Sequence, residues 1–216
     1  MTRILGTSVV PAVLLLSLLW ALAAPPVSGD RGGSAAEMDR GGSAGTVAVP
    51  GSRLSRSART ADAAERSMGL RLKLPFPEGE TYEVYQGKGG SFSHSGLNRY
   101  AFDFGLPEGT PVLAAAEGRV VRVKQDSGQG GTRPDDYARG NTVILDHGQG
   151  LFTQYLHLQK NSVPVREGDL VRAGQVIGRS GNTGFSSVPH LHFQVQDALG
   201  QSLPCRFVDV PGDGVP

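Results

Sequence analysis

Near its C-terminal end the chain reads Pro189-His190-Leu191-His192-Phe193-Gln194-Val195-Gln196, a strict alternation of polar and apolar side chains. Successive side chains of a β-strand point to opposite faces, so a period of two marks a strand with one face buried. The run predicts a strand that sends Leu191, Phe193 and Val195 toward a core. His190, His192, Gln194 and Gln196 then share the other face. Two adjacent imidazoles on one face need partners, and a divalent metal supplies one, because neutral imidazole is a common zinc ligand. His94, His147, His157 and several carboxylates are candidates to complete such a site.

The rest of the chain has the same character. Short β-like runs alternate with turns marked by glycine and proline. Candidate strands are Thr81–Tyr85, Tyr100–Phe104, Pro111–Ala114, Arg119–Lys124, Thr142–Asp146, Phe152–Leu158, Leu170–Val176 and Leu191–Gln196. No amphipathic helix of ten or more residues intervenes. This pattern predicts an all-β fold, an antiparallel β-sandwich or partly open barrel with a cleft. Asp126–Arg139, polar and glycine-rich, reads as a surface loop at the rim of that cleft.

The 216 residues suffice for one domain with extensions. Arg3 precedes an apolar run from Val9 to Ala24, and Ala21-Leu22-Ala23 puts small residues where a signal peptidase reads. The run is shorter than the ~20 residues of a membrane span. Residues 1–23 therefore read as a signal peptide, with an uncleaved anchor as the alternative, and the protein as exported to the periplasm, envelope or exterior, with no stable membrane association after cleavage. Residues 24–69 are rich in Gly, Ser, Ala and Arg, and Asp30-Arg31-Gly32-Gly33-Ser34-Ala35 recurs as Asp39-Arg40-Gly41-Gly42-Ser43-Ala44. Such a segment buries too little to offset its ordering entropy, so it reads as a disordered linker or pro-segment. The folded domain is expected over residues 70–210, with 211–216 as a tail. A net charge of +1 without a basic stripe argues against nucleic-acid binding. The single cysteine, Cys205, rules out an internal disulfide framework and reads as a buried apolar residue. Oligomeric state is not legible.

Two more segments carry chemistry. In Tyr100-Ala101-Phe102-Asp103-Phe104, alternation points Asp103 away from the three aromatics. In Thr153-Gln154-Tyr155-Leu156-His157-Leu158, it places His157 on one face with Tyr155 and Thr153, and the leucines on the other. A hydrolytic zinc site needs three protein ligands and an open position for water. Four histidines and Asp103 satisfy that requirement, without periodicity saying which bind and which move protons. His147, within Asp146-His147-Gly148-Gln149-Gly150, reads as an exposed turn histidine. Asp135 and Asp136 read as solvated loop residues.

Several motifs in order resemble the lysostaphin/LytM-type zinc metallopeptidases. They are His94-Ser95-Gly96, Tyr100-Ala101-Phe102-Asp103-Phe104, Glu108-Gly109-Thr110-Pro111-Val112 and Ala116-Glu117-Gly118-Arg119-Val120 in the first half. Asn141-Thr142-Val143, Tyr155-Leu156-His157-Leu158, Glu167-Gly168-Asp169-Leu170-Val171, Gly181-Asn182-Thr183-Gly184 and Pro189-His190-Leu191-His192-Phe193 follow. The similarity covers roughly residues 85 to 208. His94 and Asp103 stand farther apart than the spacing of four in many members, as in a subgroup with a "YAxDF" motif. The resemblance implies one Zn²⁺ held by His94, Asp103 and His192, with His157 and His190 off the metal and one of them a general base. It implies an exported endopeptidase that cuts peptidoglycan stem peptides or cross-bridges. A non-enzymatic regulator of cell-wall amidases is the alternative; such relatives lose metal ligands. The Val165–Gly178 segment also resembles biotinyl or lipoyl carrier hairpins, which need a lysine at the tip; the nearest, Lys160, lies outside it.

Overall fold

A computed structural model describes residues 56–216. The expected signal peptide and residues 24–55 of the expected linker lie outside the described residues. Helix α1 spans Arg56–Gly69. Twelve strands follow: β1 (Val84–Gln86), β2 (Phe102–Phe104), β3 (Pro111–Leu113), β4 (Gly118–Lys124), β5 (Gly130–Gly131), β6 (Thr142–Asp146), β7 (Phe152–Leu156), β8 (Leu170–Val171), β9 (Val176–Arg179), β10 (Gly184–Phe185), β11 (Leu191–Gln196) and β12 (Ser202–Leu203).

The main sheet runs β1-β2-β11-β7-β6-β4-β8, with β12 added beside β11. Every pairing in it is antiparallel. It stays open, and two small ribbons, β3 with β9 and β5 with β10, flank it. The expected all-β antiparallel architecture is therefore the observed one. One face of the sheet carries the core, in which Phe102, Phe104, Tyr155, Leu191, Phe193, Val195 and Phe207 are all buried. Phe193 packs against both Tyr155 and Phe207 through ring contacts of 5.4 and 5.6 Å.

Strand boundaries differ from expectation where the backbone turns. The expected Leu170–Val176 strand is split into β8 and β9 by a turn in which Gln175 N–H donates to Arg172 C=O at 3.0 Å and Gly174 takes φ +81°. The strand expected over Phe152–Leu158 stops at Leu156, because His157 adopts φ +67°. Within the Asp126–Arg139 loop lie β5 and a 3₁₀ helix, Pro134–Arg139. Asp136, expected as solvated, is buried instead and holds this loop together. It accepts from Arg133 N–H and from the Arg139 guanidinium, each at 2.9 Å.

Helix α1 falls within the stretch expected to be linker or pro-segment. Its alanines favour a helix intrinsically. Ala63 and Ser67, four residues apart and so on one face, are both buried. The Ser67 hydroxyl donates to Pro204 C=O at 2.8 Å, beside β12. Residues 211–216 fold back as well, since Phe207 N–H donates to Gly214 C=O at 2.7 Å.

Candidate metal centre

β2 and β11 are antiparallel neighbours, and Asp103 and His192 are directly paired across them. Paired residues share a face. Phe102 and Phe104 turn to the core, so Asp103 turns to the opposite side with His192. There His192 Nδ1 lies 2.9 Å from Asp103 Oδ1. His94 arrives from the loop after β1 and brings its Nε2 to 3.0 Å from the same oxygen. One ligand atom each from His94, Asp103 and His192 can be chosen so that all lie within 4.8 Å of one another. All three residues are buried.

The hydrogen bonds around the cluster settle its tautomers. His94 Nδ1 sits 2.9 Å from Gly87 C=O, an acceptor, so Nδ1 carries the proton and Nε2 the lone pair. The Gln194 amide donates to Gln196 Oε1 at 2.7 Å and to Gln154 Oε1 at 3.3 Å. Its own Oε1 therefore faces His192 Nε2, at 3.3 Å, and takes that proton. His192 Nδ1 is left with a lone pair. Two imidazole lone pairs and a carboxylate oxygen thus converge. His94 Nε2 is buried without a hydrogen-bond partner despite its 3.0 Å approach to Asp103, since with its proton on Nδ1 it has none to donate. Such a convergence is repulsive unless a cation sits among the atoms. Two nitrogens and one carboxylate oxygen form a donor set that suits zinc, so the residues present fit the metal.

Two further histidines border the cluster. His190 Nδ1 donates to Val188 C=O at 2.8 Å, and its Nε2 lies 3.8 Å from Asp103 Oδ1. His157 Nδ1 donates to Thr183 C=O at 2.7 Å. Both rings so turn an unprotonated Nε2 away from the backbone, and their centroids are 4.5 Å apart. Burial, reinforced by the charges of His190 and His192, pushes the His157 pKa down to about 3. Burial also lowers that of His190, against the opposing pull of Asp103. For Asp103, burial works to raise the pKa. The surrounding imidazoles of His192, His94 and His190 together outweigh it and hold the carboxyl well below the usual range.

His157 reaches this place in a way that alternation does not describe. Tyr155 and Thr153 lie in the core side of β7, and Leu156, paired with His192, lies on the site side. Continued alternation would send His157 into the core with Tyr155. Its left-handed backbone turns the ring over to the site instead, at a cost of order 1–3 kcal/mol. The expectation that His157 shares a face with Thr153 and Tyr155 is therefore corrected. His147 also differs from an exposed turn residue. Its Nδ1 lies 2.6 Å from Glu117 C=O and its Nε2 2.8 Å from Thr153 Oγ1, remote from the five-residue cluster.

A cleft of about 430 Å³ opens over Asp103, His157 and His190. Tyr85, Phe92 and Phe185 line it together with Ser186 and Val188. Phe185 stacks on Tyr137 at 4.2 Å and on Phe92 at 5.8 Å, and Phe92 is 63 % exposed. The 126–139 loop thereby reaches the cleft rim. Gln86 and Gly87, which help hold Asp103 and His94 in orientation, carry no sequence signal of their own, whereas Thr183, which holds His157, lies in the Gly181–Gly184 motif. Gln194 also carries one, by sharing the His192 face.

The sequence pattern of Peptidase family M23 matches residues 98–204. Asp103, His157, His190 and His192 fall within this span, and His94 lies just ahead of it. The chain is 45 % identical over 101 residues to the glycyl-glycine endopeptidase ALE-1 of Staphylococcus capitis, covering 46 % of this chain and 25 % of that one. It is 44 % identical over 93 residues to the peptidoglycan DD-endopeptidase ShyA of Vibrio cholerae, covering 43 % and 19 %. The chain thus spans a quarter or less of these two relatives. The catalytic domain of lysostaphin from Staphylococcus simulans superposes with a TM-score of 0.44 at 30 % identity, covering 57 % of this chain and 88 % of that domain. Through residues 98–204, the chain belongs to peptidase family M23.

Proposed function

We propose that this protein is an exported, zinc-dependent endopeptidase that hydrolyses peptide bonds in peptidoglycan stem peptides or cross-bridges. The observation that carries the reading is the convergence of His94, Asp103 and His192 within 4.8 Å, with His157 and His190 bordering it. His94, Asp103 and His192 would hold one Zn²⁺. When bound, zinc supplies Lewis acidity toward a substrate carbonyl and toward water.

The chain's own residues do the rest. His190 and His157 stand neutral at pH 7, each with a free Nε2, so each can accept a proton. His190 is the better general base, because the Asp103 carboxylate 3.8 Å away stabilises the imidazolium it becomes. It takes a proton from the attacking water and returns it to the departing amine. His157, held by Thr183, directs its Nε2 at the same space and orients the water or the developing oxyanion. The cleft lining, Phe92, Phe185, Ser186 and Val188 among it, receives the peptide around the scissile bond.

Peptidoglycan as the substrate class is supported by two relatives, the glycyl-glycine endopeptidase ALE-1 and the peptidoglycan DD-endopeptidase ShyA. Export fits a substrate outside the membrane and accords with the apolar leader at Val9–Ala24. The amidase-regulator reading is disfavoured by the presence of all five site residues. Incubating isolated peptidoglycan with wild type and with His190→Ala tests the activity. New amino termini from wild type alone, assigned by mass spectrometry of the muropeptides, are expected. No release by the zinc-loaded wild type, or equal release by both proteins, would overturn the reading.

A further inference from the structure

One side chain outside the cluster touches both Asp103 and the two residues just ahead of His94. Gln86 closes β1, where the register slips by one residue: Val84 pairs with Phe104 and Gln86 with Asp103, leaving Tyr85 as a bulge. The bulge is accommodated by Gly105, where any Cβ would stand 2.5 Å from the Tyr85 ring. The slip puts the Gln86 amide beside Asp103.

The amide is fully engaged. Its Nε2 donates to Asp103 Oδ2 at 2.8 Å and to Ser93 Oγ at 3.1 Å. Its Oε1 accepts from Phe92 N–H and Ser93 N–H, both at 3.2 Å. A primary amide has two donors and a two-lone-pair acceptor, and every one is used. The orientation is unambiguous, since the flipped amide would set oxygen against carboxylate and NH₂ against two N–H groups. Asp103 is thereby left with Oδ1 alone for His94 and His192. The same amide anchors the residues immediately before His94.

We propose that Gln86 is a positioning residue for the metal centre: its amide fixes which carboxylate oxygen of Asp103 faces the metal and ties the His94 loop to that carboxylate. This rests on the zinc reading given above. Partners that orient a ligand commonly tune metal affinity by 10–100-fold when removed. Gln86 also lines the cleft, but its amide is wholly engaged with Asp103, Ser93 and Phe92.

The test uses the full chain, with Zn²⁺ affinity measured by competition against a chromophoric chelator at pH 8. Gln86→Met keeps the length and removes all four hydrogen bonds. Gln86→Glu keeps the Oε1 acceptor and removes the donor to Asp103. Both are expected to bind Zn²⁺ about 10–100-fold more weakly than wild type. Metal-free melting temperatures should change far less, and the visible bands of the Co²⁺-loaded Gln86→Met protein should shift. A purely structural role would lower the metal-free melting temperature without moving those bands or the affinity. Wild-type affinity in both variants would overturn the positioning role. If Gln86→Met fails to fold, Gln86→Glu alone decides. A wild type that binds no zinc would overturn the metal reading itself, a result distinct from any difference between variants.

Discussion

Asp103 and His192 oppose each other across β2 and β11, and His192 Nδ1 stands 2.9 Å from Asp103 Oδ1. Neither atom has a proton to share when the His192 proton lies on Nε2, so the pair calls for a cation. Removing His192 leaves only two of the three proposed ligands. Wild type should gain stability from added Zn²⁺, about 2.7 kcal/mol at a hundredfold excess over Kd. His192→Ala should gain almost none. Thermal melts with and without Zn²⁺ check this, and an equal upward shift in the variant would remove His192 from the ligand set.

The left-handed backbone at His157 separates two effects of replacing it. Without the imidazole, peptide hydrolysis should fall by 10²–10⁴ in either His157→Ala or His157→Gly. Their stabilities should differ, because a left-handed residue with a Cβ costs roughly 1–2 kcal/mol that glycine avoids, less the added freedom glycine has when unfolded. The Gly variant is expected to melt above the Ala variant. Coincident melts would mean the backbone relaxes out of φ +67° once the ring is gone.

Acid should unfold the metal-free domain through the same residue. Unfolded, His157 titrates near 6.5; folded, its pKa is pushed down to about 3, first by burial. The unfolded state binds more protons between those values, so this contribution is complete above 6.5 and is lost as pH falls toward 3. Asp103, depressed in the fold despite its burial, acts in the same sense at lower pH. His94 opposes them. Burial lowers its pKa, but Asp103 raises it further, so its contribution is present below 6.5 and lost above its folded pKa. Urea midpoints from pH 7 to 4 should decline, and less steeply in His157→Gln. Parallel slopes would show that His157 is not a source of the decline.

Phe185 is held between Tyr137 and Phe92 at the cleft edge. It touches none of the five polar site residues through a ring contact. Phe185→Ala should therefore raise KM by about tenfold while kcat stays within about threefold, the pattern of a contact made equally in ground and transition states. Steady-state kinetics on a defined cross-bridge peptide give the split. A matched fall in kcat with unchanged KM would place Phe185 in the chemistry instead.

The parts legible in sequence were those with a local period. β11 has the expected bounds, Leu191–Gln196, and β6 matches Thr142–Asp146 residue for residue. Asp103 followed from the apolar Phe102 and Phe104 on either side. His157 lies beyond what a side-chain pattern reports. It sits at a strand end where one dihedral angle reverses the face. His147 and Asp136 both sit in turn-like sequence that reads as solvated, yet His147 pairs with the Glu117 carbonyl and the Thr153 hydroxyl, and Asp136 is buried between Arg133 and Arg139 of its own loop. Gln86 was invisible because its role depends on a one-residue bulge. Helix α1 offers little apolar periodicity; Ala63 and Ser67 are the side chains it buries among the described residues.

The sheet order also carries a temporal consequence. β11 lies between β2 and β7, and the Asp103–His192 contact joins residues 89 apart in sequence. Contacts of that separation are rewarded only after a long loop has been closed. During synthesis His94 and Asp103 emerge well before His190 and His192. A growing or half-folded chain therefore holds only fragments of the centre, and any hydrolytic capacity arrives with the last strands rather than accumulating along the way. The topology acts as a built-in delay, keeping the polypeptide inert until its final third has threaded into the middle of the sheet.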